Sequence, residues 1–183
     1  MKKQLLTLAT VGVLLAGCSS SASAAQTITA QATVNKQPDF IQTVFAQGRV
    51  QLMSGVVDQL RKRVGRTWYV FSGATPSGWD CSGLTMWAYE QVGIELPHSA
   101  NKQARAGVQV SKPEIGDLVL FGYKGTNTYF HASIYIGNNK VIHAGFRKGQ
   151  TTSILDLDSA SVKNTKMKFV RINLVKTTRE ENK

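Results

Sequence analysis

The sequence predicts an α+β domain: N-terminal helices packed on a small antiparallel β-sheet, with a cysteine at the start of a buried helix. Three observations predict it. Apolar residues recur at helical spacing between Phe40 and Val64. A second apolar stripe, Leu84, Trp87, Ala88 and Val92, follows Cys81. The second half of the chain then changes to strand-like runs of period two. Helices first and strands afterwards is an α+β order, not alternating βαβ units.

Lys2 and Lys3 precede an apolar run from Leu5 to Ala16. At about twelve residues it is short of the roughly twenty that span a bilayer, and it suits the apolar region of a signal peptide. It ends in Leu15-Ala16-Gly17-Cys18, which resembles a bacterial lipobox, in which the cysteine is acylated and becomes the new N-terminus. Residues 1–17 are therefore read as a lipoprotein signal peptide and Cys18 as the lipidation site. Ordinary cleavage after Ala22-Ser23-Ala24 is the alternative. Residues 18–38, rich in Ser, Ala, Thr and Gln, read as a flexible tether. Residues 39–178 form the folded domain and 179–183 a polar tail.

Within the domain, Phe40, Ile41, Val44, Phe45, Leu52, Val56, Leu60 and Val64 suggest one or two amphipathic helices, with Gly48 and Gly55 as possible breaks. Trp68 to Asp80 reads as a loop. Asp80 is a good N-cap, which places Cys81 in the first turn of the next helix, and Gly93 is a natural C-terminal stop. Four strands follow: Asp117–Tyr123, Tyr129–Ile136, Lys140–Ala144 and Met167–Ile172, with Gly137-Asn138-Asn139 as a hairpin turn.

The net charge is +11, about +9 without Lys2 and Lys3. Such an excess favours an anionic partner, whether a wall polymer, anionic lipid or nucleic acid, the other reading being a basic solvated surface with no specific partner. No zinc spacing, recognition helix or stacking motif accompanies it, so nothing marks a nucleic-acid reader. Lys163, Lys166, Lys168, Arg171, Lys176 and Arg179 lie in a stretch without acids from Ser159 to Arg179. With Cys18 lipidated, Cys81 has no disulfide partner in an oxidising compartment, which favours a chemical role for it.

A thiol nucleophile needs its proton removed, and a helix N-terminus and a nearby imidazole both lower its pKa. Cys81 is expected to have both. His131, Ser133 and Tyr135 share one face of their strand; a two-residue turn would put His143 of the next strand on the opposite face, whereas an odd-length loop such as Gly137-Asn138-Asn139, or a bulge, puts it on the same face, which is adopted on the resemblance given below. His131 would take the Cys81 proton, and His143 would orient the imidazole. Two other readings are structural histidines and a zinc site of Cys81, His131 and His143.

Asp80-Cys81-Ser82-Gly83, His131-Ala132-Ser133-Ile134-Tyr135-Ile136-Gly137 and Val141-Ile142-His143-Ala144 resemble, in order, the motifs of the NlpC/P60 family. These are papain-like peptidases of bacterial cell walls. The resemblance runs from about Asp58 to Leu174. It implies a papain-like fold with Cys81 as nucleophile, His131 as base and His143 as the orienting third member. It also implies that Tyr69 lines the site and that Asp80 and Ser82 contact the amino end of the substrate. Two departures stand out: Ser72 in Phe71-Ser72-Gly73 replaces a usual glycine, and so does Ser133. His98, in Pro97-His98-Ser99, falls at a variable family position and is read as structural. No SH3-like wall-binding domain is visible.

The expected function is hydrolysis of an amide in the peptidoglycan stem peptide, in the family typically between D-glutamyl and meso-diaminopimelic acid or lysine. It would proceed through a thiol acyl-enzyme without a cofactor, with backbone N–H groups at the helix start holding the oxyanion. The alternatives are a related amidase or acyltransferase on the same fold, or an inactive wall-binding lipoprotein. The expected location is extracytoplasmic, on the membrane through the lipid.

Overall fold

A computed structural model describes residues 38–174; the signal region, the tether and Cys18 lie outside them. Of these, residues 43–174 belong to one compact unit. The described chain begins with helix α1 (Pro38–Arg61), which is continuous through Gly48 and Gly55. Both glycines have open space where a Cβ would be, so each weakens the helix by about 1 kcal/mol without breaking it. The buried stripe is Met53, Val56, Val57 and Leu60, an i, i+3, i+4, i+7 set. Of the expected apolar face, Val44, Phe45 and Leu52 are exposed instead.

The segment read as a loop contains a small hairpin, β1 (Ala74–Thr75) with β2 (Gly78–Trp79). Trp79 is fully buried, and its indole N–H donates to Thr152 Oγ1 at 2.8 Å, which ties the hairpin to a segment 73 residues further along the chain. Helix α2 (Cys81–Glu90) follows at once, and the short helix α3 (Ala100–Gln103) is capped by Ser99.

The remaining strands are β3 (Val108–Val110), β4 (Leu118–Tyr123), β5 (Tyr129–Tyr135), β6 (Lys140–His143), β7 (Ser153–Asp156) and β8 (Thr165–Arg171). They form one six-stranded sheet in the order β3-β8-β4-β5-β6-β7, antiparallel throughout. Alternation divides its two faces. Leu118, Leu120, Ala132, Ile134 and Ile142 pack with Leu84 and Ala88 of α2 and the α1 stripe. Val119, Phe121 and Val141 build a second cluster with Leu157 and Val162 on the opposite face. The expected α+β architecture is what the chain adopts; β1, β2, β3 and β7 are additions to it.

Asp117 locks the sheet to α1. It is fully buried and accepts from Arg49 at 3.1 Å, from Arg171 at 2.8 Å and from the Glu114 backbone N–H at 2.8 Å.

Candidate active site

Cys81 is the first residue of α2, because Asp80 caps that helix. Asp80 is extended, and its carboxylate accepts the Gly83 backbone N–H at 2.7 Å. The start of α2 is pressed tightly against β1. A Cβ on Gly83 would lie 1.9 Å from the Gly73 carbonyl oxygen, so only glycine fits.

The thiol reaches the sheet where β5 and β6 part. Tyr135 exchanges hydrogen bonds towards the β4 side, through Asp117 and Gly116. By alternation, Ala132, Ile134 and Ile136 therefore direct their N–H groups towards β6. The β5–β6 ladder holds only Ile134↔Ile142 and Tyr135↔Val141, so it ends before Ala132. The Ala132 N–H is left to act on the Cys81 thiol, and with the N–H groups of Ser82 and of Cys81 itself it favours the thiolate.

His131 and His143 lie on the same face, as the odd-length turn requires. Gly137, Asn138 and Asn139 all have positive φ, and Lys140 closes the turn onto Gly137 at 3.0 Å. His131 Nε2 and His143 Nδ1 are 3.0 Å apart, and His143 Nε2 is 3.0 Å from Ser153 Oγ on β7. A bulge between Phe121 and Gly122 skips Phe130, so Tyr129 turns to the helix face while His131 pairs with Phe121. Phe146 covers both imidazoles, with ring centroids 4.2 Å from His131 and 4.9 Å from His143.

Burial sets the protonation of this group. It pushes His131 down to about 3, helped by the neighbouring charge of His143, and His143 down to about 4. The expected low thiol pKa is not found. Burial pushes Cys81 up; the Ala132 N–H opposes this, and the negative charge of Asp80 adds to it. The resting pair is a neutral thiol and a neutral imidazole. With the proton of His131 on Nε2 and that of His143 on Nε2, each ring donates outward along the row to Ser153, and His131 Nδ1 is basic. Such an arrangement can accept a thiol proton as the sulfur attacks.

His131 and His143 point ring nitrogens at each other and not at a common point. Among the described residues no cluster of His, Cys, Asp or Glu could hold a metal ion. Tyr69 is close enough to Cys81 and Asp80 for their charges to raise its pKa, after burial, the larger cause. Ser82 donates to Asp80 Oδ1 at 3.0 Å, and both residues are buried.

His98, read as structural, lies beside the α2 cap: its Nε2 is 3.0 and 3.1 Å from the two Asp80 oxygens. Ser72 also joins that carboxylate, through its N–H at 3.1 Å, and holds a left-handed φ of 57° where glycine would be unstrained. Ser133 does not face the cleft; its hydroxyl donates to the Val119 carbonyl at 2.9 Å. Ser153 and Phe146 were not foreseen. Ser153 pairs with His143 in the β6–β7 ladder, so recognising β7 would have exposed it.

The model of the NlpC/P60 family matches residues 65–171, more than half of the chain. The chain is 32% identical over 160 residues to the murein DD-endopeptidase MepS/murein LD-carboxypeptidase of Escherichia coli K12, covering 80% of each protein. It is 38% identical over 109 residues to a probable endopeptidase of Mycobacterium tuberculosis H37Rv, covering 58% of this chain and 27% of that one. The chain thus spans about a quarter of the length of the mycobacterial relatives it matches. The crystal structure of the NlpC/p60 domain of the peptidoglycan hydrolase SagA superposes with a TM-score of 0.55 at 30% identity, covering 65% of this chain and 98% of that one. Motif order, fold and match extent agree, and the chain belongs to the NlpC/P60 family.

Proposed function

We propose that the protein is a cell-wall cysteine endopeptidase that hydrolyses an amide bond in peptidoglycan stem peptides. The observation that carries this reading is the row of His131, His143 and Ser153, linked at 3.0 Å each and starting on β5 next to the Ala132 N–H that acts on the Cys81 sulfur at the start of α2. His131 Nδ1 takes the thiol proton as sulfur attacks the carbonyl carbon. The backbone N–H groups of Ser82, Cys81 and Ala132, already gathered at the sulfur, support the oxyanion. The proton then passes to the leaving amine, and water, deprotonated by the same imidazole, releases the acyl group. His143 holds the ring plane and tautomer of His131, and Tyr69, Asp80 and Ser82 line the amino-terminal side of the cleft. The names of the E. coli relative and of SagA support a murein substrate.

The Leu15-Ala16-Gly17-Cys18 sequence supports lipid anchoring through Cys18 and action outside the cytoplasm. No helix among the described residues is long and apolar enough to cross a membrane. The positive charge supports docking on an anionic wall polymer.

The test is mass spectrometry of purified muropeptides after incubation with the protein. New fragments differing by one water at a stem-peptide amide support the reading and identify the bond. Unaltered muropeptides with a Cys81 that still alkylates would refute it.

A further inference from the structure

The basic surface is not uniform. Arg171 is neutralised by Asp117 and Glu114, and Lys140 pairs with Asp156. Lys166 and Lys168 differ. They occupy one face of β8, opposite Gly122 and Leu120 of β4. Their ammonium groups reach neutral oxygens: Lys166 Nζ meets the Thr126 carbonyl at 3.0 Å and Asn127 Oδ1 at 3.3 Å, and Lys168 Nζ the Ala104 carbonyl at 2.6 Å. Arg105 likewise donates to the carbonyls of Asn101 at 2.6 Å and Asn127 at 3.3 Å. Among the described residues no carboxylate pairs with any of the three.

All three line a single cleft of about 390 Å³, together with Gln109, Asn127 and Tyr129, and no acid lines it. The Tyr129 ring lies 5.5 Å from the Lys166 ammonium and 6.0 Å from that of Lys168. Carbonyl and amide oxygens fix the positions of these cations without cancelling their charge. Like charges gathered around a concavity repel one another, and an oxyanion entering between them replaces that repulsion with attraction. Lysine as a point charge and arginine as a fork are the usual ligands of phosphate oxygens. The volume is within the range of about 300–1,000 Å³ typical of small-ligand sites.

We propose that this cleft binds the phosphate group of a phosphodiester-bearing polymer and thereby docks the protein on the wall. That the polymer belongs to the wall rests on the proposed function; the phosphate chemistry of the cleft does not. The test uses the full-length chain with poly(glycerol phosphate), followed by calorimetry, with inorganic phosphate as competitor. Binding should saturate and be displaced by inorganic phosphate. It should weaken about tenfold in Lys166→Gln and in Lys168→Gln, and stay unchanged in Lys62→Gln, which removes an exposed charge from α1's end. Lys168→Arg, which keeps the charge, should retain binding and so control for folding. Hydrolysis of a small soluble stem peptide should be the same in all these variants. Equal binding by wild type and cleft variants overturns the proposal, as does an equal loss in Lys62→Gln. So does cleft-dependent binding of poly-glutamate at matched charge, or of phosphatidylglycerol vesicles without any binding of the polymer. Absent hydrolysis in the wild type would remove the enzyme reading and leave the phosphate result standing.

Discussion

Replacing Gly83 with alanine tests how tightly Cys81 is placed. The new Cβ would sit 1.9 Å from the Gly73 carbonyl oxygen, 2.9 Å from its carbon and 3.0 Å from the Ala74 Cα. All three are backbone atoms, so no side chain can swing aside. Restoring a contact of about 3 Å requires β1 and the start of α2 to separate by roughly 1 Å, an overpacking strain of about 1–3 kcal/mol. That separation also strains the Asp80 N–H bond to the Gly73 carbonyl, 3.0 Å at rest, which adds about 1 kcal/mol. The sum of about 2–4 kcal/mol lowers the melting temperature by roughly 6–12 °C for a domain of this size. Thermal unfolding followed by circular dichroism measures it. Peptide hydrolysis at a temperature where the variant is still folded should also fall, because Cys81 moves with the helix start. A variant that melts within 1 °C of wild type and turns over normally would show that the α2 start is not held by this contact.

Three other outcomes follow from the site. Cys81→Ala and His131→Ala should each cut hydrolysis by about 10³-fold or more, His143→Ala by about 10–100-fold, and EDTA should change nothing; steady-state rates decide. Unfolding free energy should fall as pH drops below 6.5. The folded histidines bind protons only near 3 and 4, so in that window the unfolded chain holds more of them. The slope approaches about 1.4 kcal/mol per pH unit for each histidine, and urea titrations of wild type and His143→Gln should show the difference. Alkylation of Cys81 by iodoacetamide should keep rising past pH 9, since burial raises the thiol; a plateau near pH 7 would contradict the neutral resting pair.

What the sequence conveyed followed from patterns that one residue type or one period can carry. The Asp80-Cys81 cap, the alternation around His131 and the odd turn before His143 all rest on local rules, and each is present in the structure. What escaped depended on partners distant in the chain. Ser153 lies on a four-residue strand with mixed exposure that has no distinct period. His98 is irregular in sequence and meaningful only through Asp80, 18 residues away. Arg171 reads as free charge until Asp117, 54 residues away, is seen to neutralise it. The thiol shift was mistaken in sign because a helix terminus is local, whereas desolvation depends on everything packed above it.

The early end of the β5–β6 ladder has a consequence for when the protein can act. The sulfur belongs to the helical half of the chain and the imidazoles to the sheet, and the two halves join where the Ala132 N–H has been left unclaimed by β6. Neither half carries a working fragment of the proposed chemistry. A chain that has formed its helices but not its sheet, or the reverse, is chemically silent. For the proposed hydrolase, completion of the fold is thereby itself the activating event.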